Sequence, residues 1–251
     1  LSDASEAWGI AALKGLWETA LAGDFTGDGF PDLFLGGLGL NNEISFRGEG
    51  DGKLVRYLGR FSERGPPMNL NAYDWYGDMR LFDGLRDFTE IEPSVFRRIP
   101  SFKQSAALSP EAFIDRTGFT VKKTYAMDHF ASGILVNQGG KGFRFVPLPL
   151  EGQYGRVWDA VAEDVNADGH VDLILLLGQV SPHYRSIQDE GSFVSVLLEQ
   201  GDGTFAADIR PPLDKLPSSR IVGLGTGSTG EESVLNLQLE DGRTIRFLVN
   251  P

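Results

Sequence analysis

The sequence predicts an all-β fold in which short strands alternate with glycine-rich turns. Three observations indicate this class: eight short apolar stretches, tight Asp-Gly or Gly-Gly turns between them, and 32 glycines in 251 residues. Alternating apolar residues indicate strands, because successive side chains of a strand point to opposite faces of a sheet. The eight predicted strands cover residues 17–22, 33–35, 134–136, 143–146, 171–177, 193–198, 234–239 and 244–249.

Four turns have the composition of β-hairpin loops. Asp-Gly and Gly-Gly pairs readily adopt the positive φ angles that tight hairpin turns require. These turns lie at residues 50–52, 139–142, 201–203 and 241–242. We therefore expect antiparallel strands on either side of each turn.

One segment interrupts the β pattern with the signals of helices. Residues 109–111 read Ser-Pro-Glu, which suits an N-cap, a proline in the first turn and a first-turn acid. A shorter helix is expected over residues 94–99. The sequence therefore predicts a small helical insertion around residues 93–116.

Two pairs of segments repeat along the chain. Residues 135–143 (LVNQGGKGF) resemble residues 197–205 (LLEQGDGTF), 62 residues later. That spacing suits a four-stranded repeating unit. Residues 23–33 (GDFTGDGFPDL) match residues 163–173 (EDVNADGHVDL) more closely, and an apolar strand follows each copy.

The second repeat has the pattern of a metal-binding loop, D-x-[T/N]-x-D-G-x-x-D. Oxygen-bearing residues at loop positions 1, 3 and 5 point towards one centre, position 7 offers a backbone carbonyl, and the last aspartate completes the shell. Such hard oxygen ligands suit Ca²⁺, whereas softer metals favour His or Cys. The predicted ligands of the two structural Ca²⁺ sites are Asp24, Thr26, Asp28, Phe30, Asp32, Asp164, Asn166, Asp168, His170 and Asp172.

Two helical calcium loops and a metal-free acidic turn are alternatives to this interpretation. An EF-hand needs a glutamate at loop position 12 and helices on both sides. Position 12 is Leu35 in the first loop and Leu175 in the second, and strand-like residues follow each loop. A dockerin-type pair needs a helix after each loop, so both helical classes are excluded. An acidic turn without metal stays open, although two complete matches disfavour it.

The loops and hairpins together resemble the FG-GAP/VCBS repeat family, the bacterial exported relatives of integrin-α propeller blades. The segments that carry the likeness are residues 23–33, 36–41, 130–133, 137–143, 162–173 and 200–205. The resemblance implies a β-propeller or partial propeller of about four blades with calcium loops. Thr26 departs from the Asn or Asp expected at position 3, so we expect the first site to bind more weakly.

The expected organisation is a single domain over residues 1–251. Its blade-like units are predicted at residues 8–60, 61–125, 126–190 and 191–251. The second of these is the irregular unit that carries the helical insertion.

Composition excludes several classes of protein. The formal net charge of −12 disfavours nucleic-acid binding, because phosphate contacts need a basic surface. The absence of cysteine excludes disulfides and thiolate metal sites. No apolar run reaches the roughly 20 residues of a transmembrane helix.

Sequence motifs also disfavour a catalytic role. No G-x-S-x-G nucleophile elbow occurs. Residues 225–230 spell G-x-G-x-x-G, but alternating apolar residues follow them instead of a helix, which favours a flexible loop over a dinucleotide site. Trp17 and Trp158 are expected in the core, whereas Trp75 and Tyr76 suit an exposed rim that binds sugars or proteins.

The sequence therefore predicts a calcium-stabilised, non-enzymatic scaffold that binds a protein or a glycan. We expect it outside the cytoplasm, in the periplasm, at the cell surface or secreted, where millimolar Ca²⁺ suits weak sites. One alternative is a polysaccharide lyase or glycoside hydrolase on a propeller, and another is one subunit of a larger surface or membrane-attached complex. Neither a nucleic-acid partner nor a transmembrane segment is expected.

Overall fold

The fold is mostly β, with 46% of residues in strands and 14% in helices. The structure, a computed structural model, describes residues 3–42, 53–178, 192–208, 220–229 and 232–248. The strands are β1 (Thr19–Gly23), β2 (Asp32–Gly36), β3 (Leu54–Arg60), β4 (Met68–Trp75), β5 (Asp78–Leu81), β6 (Thr120–Met127), β7 (Gly133–Asn137), β8 (Phe143–Pro147), β9 (Arg156–Glu163), β10 (Asp172–Gly178), β11 (Ser192–Glu199), β12 (Phe205–Asp208), β13 (Ile221–Thr229), β14 (Glu232–Leu239) and β15 (Thr244–Leu248).

These strands form four antiparallel sheets within the described residues. Sheet 1 has the order β1-β2-β7-β8, sheet 2 has β5-β4-β3-β6, sheet 3 has β12-β11-β10-β9 and sheet 4 has β13-β14-β15. Each of the eight predicted apolar stretches overlaps a strand, and the turns at 139–142, 201–203 and 241–242 connect hairpins, as predicted. The turn predicted at 50–52 lies outside the described residues.

The chain divides into two compact units. Unit 1 contains sheets 1, 3 and 4, and unit 2 contains sheet 2 with four helices. Sheet 1 is completed across a long insertion, because β2 pairs with β7 through Leu33 and Leu135. Sheet 1 combines strands from the first and third predicted units, because the insertion between β2 and β7 carries unit 2. Sheet 3 combines strands from the third and fourth predicted units.

The helices of unit 2 confirm the predicted helical insertion and extend it towards the N-terminus. They are α1 (Leu85–Ile91), α2 (Ser94–Arg98), α3 (Phe102–Ala106) and α4 (Pro110–Thr117). The Ser109 hydroxyl accepts a hydrogen bond from the Ala112 N–H at 3.2 Å, and Gly118 ends α4 at a φ of 66°. Among the described residues, no helix has the length and apolarity needed to cross a bilayer.

The core of unit 2 lies between its helices and sheet 2. Apolar side chains of the helices pack on β4 and on the segment before β6. The buried members are Leu70, Leu85, Phe88, Val95, Ile99, Phe113 and Phe119. Tyr57 on β3 donates a hydrogen bond to the Glu111 carboxylate of α4 at 2.8 Å, which adds a polar connection to this apolar contact.

Strand β10 is the centre of unit 1, because it is buried along its whole length. Leu173, Leu175 and Leu177 join a core cluster with sheet 1, which includes Phe34 and Ile134. The alternate residues of β10, Ile174 and Leu176, join a second cluster with Ile221, Leu235, Leu237 and Leu239 of sheet 4. Sheet 3 therefore packs against sheet 1 with one face and against sheet 4 with the other.

Strand β13 contradicts the flexible loop expected at residues 225–230. Residues 225–229 pair antiparallel with β14, so they form a strand. The Leu224 N–H donates a hydrogen bond to an Asp159 carboxylate oxygen on β9 at 2.8 Å, which connects this strand to sheet 3. Since β14 follows, the helix of a dinucleotide site does not occur here.

We predict that Leu175→Ala lowers the free energy of unfolding by about 2–5 kcal/mol, because it leaves a cavity between two sheets. Leu175 is fully buried. The control is Leu150→Ala, since Leu150 is 62% exposed and its loss should cost under about 0.5 kcal/mol. Urea denaturation measures both, and equal values for the two variants would contradict the burial of β10 against sheet 1.

Candidate metal centre

The two acidic loops occupy equivalent places in two sheets of unit 1. The first connects β1 to β2, and the second connects β9 to β10. The hairpins at residues 138–142 and 200–204 connect the third and fourth strands of the same sheets. Because the strands are antiparallel, each acidic loop and its hairpin meet at the same edge of their sheet.

The first aspartate of each loop closes the turn through the backbone. Asp24 accepts hydrogen bonds from the N–H groups of Asp28 at 3.1 Å and Gly29 at 2.9 Å. Asp164 accepts the two equivalent bonds in the second loop, at 3.2 and 2.9 Å. The repeated sequence therefore produces a repeated turn.

The fifth position and the glycine after it also match between the loops. Asp28 accepts a hydrogen bond from the backbone N–H at position 7 at 2.9 Å, and Asp168 accepts its equivalent at 2.8 Å. Gly29 and Gly169 have φ angles of 86° and 90°. This left-handed conformation favours glycine, so the sharp turn predicted from the sequence is confirmed.

The last aspartate of the first loop is fully buried and ties the loop to the sheet. One oxygen of Asp32 accepts hydrogen bonds from the Phe25 N–H and the Thr26 hydroxyl, both at 3.1 Å. Its other oxygen accepts from the Asn137 N–H on β7 at 2.7 Å. One carboxylate thus joins the loop to the third strand of sheet 1.

Asp172 has the same role in the second loop. It is fully buried, accepts a hydrogen bond from the Val165 N–H at 2.9 Å, and accepts another from the Glu199 N–H on β11 at 2.8 Å. The loops differ at position 3. Asn166 donates from its amide to Asp168 at 2.8 Å and accepts from the Asp168 N–H, whereas Thr26 donates to the last aspartate.

Two further residues belong to this edge although the motif did not identify them. Asn137 donates from its amide to the Pro31 carbonyl at 3.0 Å and accepts from the Gly140 N–H at 2.8 Å, which fixes the hairpin beside the first loop. Glu199 is its counterpart on β11. The alignment of residues 135–143 with 197–205 places the two residues at one position, so the repeat contained this signal.

Glu199 fixes the second hairpin with charge-assisted hydrogen bonds. Its carboxylate is 3% exposed and accepts from the N–H groups of Gly201 at 2.7 Å and Gly203 at 2.6 Å. The His170 Nδ1 lies 3.0 Å from a Glu199 oxygen. His170 was predicted to contribute its backbone carbonyl, and its side chain additionally links the loop to the hairpin.

The second loop concentrates negative charge around the buried carboxylate of Asp172. Burial raises the pKa of Asp172. Hydrogen bonds from two backbone N–H groups lower this pKa, and the charges of Asp168 and Asp164 raise it. Hydrogen bonds from the His170 N–H and the Asn166 amide lower the pKa of Asp168. A cation at this loop would relieve the repulsion between the carboxylates.

The donor set of each loop fits calcium in its chemistry. Within the described residues, no three His, Asp or Glu side chains gather into a group that could hold a metal ion. Each loop nevertheless has an oxygen ligand at all five of its predicted positions: three carboxylates, one hydroxyl or amide oxygen, and one backbone carbonyl. A carboxylate has about four acceptor sites. Asp24 and Asp164 each accept two hydrogen bonds, which leaves acceptor capacity for a cation.

No protein-family model, curated protein or solved structure matches this chain. The resemblance to FG-GAP/VCBS repeats therefore stays a prediction that rests on residues of the two loops and their hairpins.

We predict that Asp172→Asn destabilises the calcium-free protein by about 1–3 kcal/mol, because the amide leaves one of two buried N–H donors without an acceptor. The control is Asp202→Asn, since both Thr204 donors bind one oxygen of this exposed carboxylate, and asparagine keeps that acceptor. Urea denaturation in chelator measures both variants. A loss in Asp172→Asn no larger than in the control would contradict the bridging role.

Proposed function

We propose that this chain is a calcium-stabilised, non-enzymatic β-propeller module of FG-GAP/VCBS type that acts as a rigid binding platform outside the cytoplasm. The observation that carries the proposal is the pair of acidic loops with one hydrogen-bond pattern at equivalent edges of two stacked sheets. A turn that only reverses the direction of the chain would not need oxygen-bearing groups at the same five positions in both loops.

The packing of unit 1 supports the propeller part of the proposal. Sheets 1, 3 and 4 are antiparallel and stack with shared apolar cores, as neighbouring blades of a propeller do. Sheets 1 and 3 also have the meander order of a four-stranded blade. Their loops lie at one end of the stack, since a Cβ on Gly203 would lie 3.1 Å from the Thr26 side chain.

The proposed role of calcium is structural. The ion supplies positive charge and would be held by Asp24, Thr26, Asp28, Asp32 and the Phe30 carbonyl in the first loop. Asp164, Asn166, Asp168, Asp172 and the His170 carbonyl would hold it in the second. Binding to the folded state alone stabilises that state by mass action. The edge loops would then keep a fixed surface for a protein or glycan partner.

The hydrogen bonds that the loop aspartates accept favour a scaffold role over a catalytic role. In both loops the aspartates accept hydrogen bonds from neighbouring backbone N–H groups, which fixes their orientation. Sites with this type of donor set and an exposed position suit the millimolar Ca²⁺ of extracytoplasmic fluids. We therefore propose a periplasmic, cell-surface or secreted location.

We predict that chelation lowers the melting temperature and that Asp168→Ala removes most of this calcium dependence, because it deletes a carboxylate ligand. Differential scanning calorimetry with Ca²⁺ and with chelator measures the difference. The matched control is Asp202→Ala, which removes an exposed acid from the neighbouring hairpin and should keep the full calcium response. Identical melting curves with and without chelator for the unmodified chain would disprove the proposal.

We predict that Thr26→Asp strengthens calcium binding at the first loop severalfold, because affinity rises with the number of charged ligands. Isothermal titration in an Asp168→Ala background isolates this loop. Thr26→Asn is the control, since it reproduces the neutral residue of the second loop and should change affinity less. Unchanged or weaker binding in Thr26→Asp would argue against position 3 as a ligand.

A further inference from the structure

Unit 2 contains a cleft of about 510 Å³ beside the β4–β5 hairpin and helix α3. Small-molecule sites are typically about 300–1,000 Å³ in volume, so the cleft has the size of a ligand site. Four aromatic side chains line it, namely Tyr73, Trp75, Phe82 and Phe102. None of these residues belongs to the acidic loops.

Two of these rings are exposed although they are large and apolar. Trp75 is 37% exposed and Phe102 is 63% exposed, and they come from separate elements, β4 and α3. Single exposed apolar residues are common. Two rings that line the same cleft are more informative, because neighbouring exposed apolar groups mark binding sites. Trp75 and Tyr76, predicted as rim aromatics, are both exposed.

The aromatic wall is held in place by contacts between its own rings. Tyr73 meets Trp75 edge-on, with ring centroids 6.1 Å apart at 88°, and lies 4.8 Å from Phe82 at 49°. Phe82 is buried, so it anchors this row to the core. A wall formed before binding reduces the entropy lost when a ligand is ordered on it.

One positively charged and one negatively charged side chain, Arg80 and Asp83, line the cleft together with the aromatic rings. Arg80 donates to the Ala106 carbonyl and to the Asp78 carboxylate, each at 3.1 Å, which orients its guanidinium at the cleft. A guanidinium has five N–H donors, more than these two contacts use. Asp83 adds acceptor oxygens and Ser105 adds a hydroxyl. The lining therefore combines an apolar surface with donors and acceptors.

This combination selects the class of ligand. A free ion gains little from a lining with one positive and one negative side chain. A wholly apolar ligand would exclude water from the Arg80 N–H groups that these two contacts leave unused and would offer them no acceptor, which is costly. A protein partner typically needs about 800 Å² on each side instead of a cleft. A neutral sugar fits, because its C–H faces pack on aromatic rings while its hydroxyls donate and accept hydrogen bonds.

We infer that the unit 2 cleft binds a neutral saccharide. Among the described residues that line it, Asp83 is the single carboxylate, whereas glycosidic cleavage generally uses a pair, so the site binds without cleaving. The inference deepens the proposed function by naming the ligand class of the platform, and it rests on that function only for its non-enzymatic role. It does not depend on the calcium loops.

The test is isothermal titration of the full chain, with Ca²⁺ present, against cellohexaose, xylohexaose, mannohexaose, maltohexaose and chitohexaose. We expect saturable binding of at least one of them. Trp75→Ala and Phe102→Ala should each weaken that binding at least about tenfold, because each removes a stacking surface. Phe96→Ala is the matched control: Phe96 is 48% exposed on α2, does not line the cleft, and should bind as the unmodified chain does.

Two outcomes would overturn the inference: no binding of any hexasaccharide up to about 5 mM, or binding that persists in both ring variants. The Phe102 variant keeps the test valid if Trp75→Ala disturbs folding, since α3 buries none of its side chains. The calcium response of the melting temperature separates the two proposals. Trp75→Ala should keep the calcium response, and Asp168→Ala should lose most of it while still binding the sugar.

Discussion

The acidic edge of unit 1 depends on two buried carboxylates, those of Asp32 and Asp172. A buried charge is tolerated only when hydrogen bonds replace its lost hydration. Each carboxylate obtains these bonds from two directions, on one oxygen from its own loop and on the other from the third strand of its sheet. Neither loop can move away from the sheet without leaving a buried charge uncompensated. The loops are therefore part of the sheet and not appendages to it.

Hydrogen bonds at its base explain how sheet 1 accommodates the insertion between β2 and β7. They join the segment that follows β2 to the segment that precedes β7. The Gly37 N–H donates to the Ser132 hydroxyl at 3.0 Å, and the Gly39 N–H donates to the Phe130 carbonyl at 2.8 Å. Since the ends are fixed, the length of the segment between them has little effect on the stability of the sheet. Unit 2 can therefore hold its own core and cleft.

Local sequence patterns predicted much of unit 1. Most of the features that these patterns missed depend on pairing between strands that are far apart in sequence. Strands such as β10 and the hairpin turns follow from alternation and glycine, which act over a few residues. The pairing of Leu33 with Leu135 depends on contacts far apart in sequence, which alternation does not encode. Strand β6 escaped prediction because most of its residues are exposed on both faces. Residues 225–229 became a strand because pairing with β14 outweighed glycine's preference for loops.

The hydrogen bonds of the loops also bear on how a cation would act there. Asp24 and Asp164 already accept hydrogen bonds from backbone N–H groups of their own loops. The geometry of each turn therefore comes from the chain and does not require an ion. A bound ion would then lose little free energy to ordering the loop. Its main contribution would be to neutralise the loop carboxylates, among them Asp172, whose pKa is raised first by burial and further by the charges of Asp168 and Asp164. Calcium in the proposed role thus adds stability to an edge that the sequence has already organised.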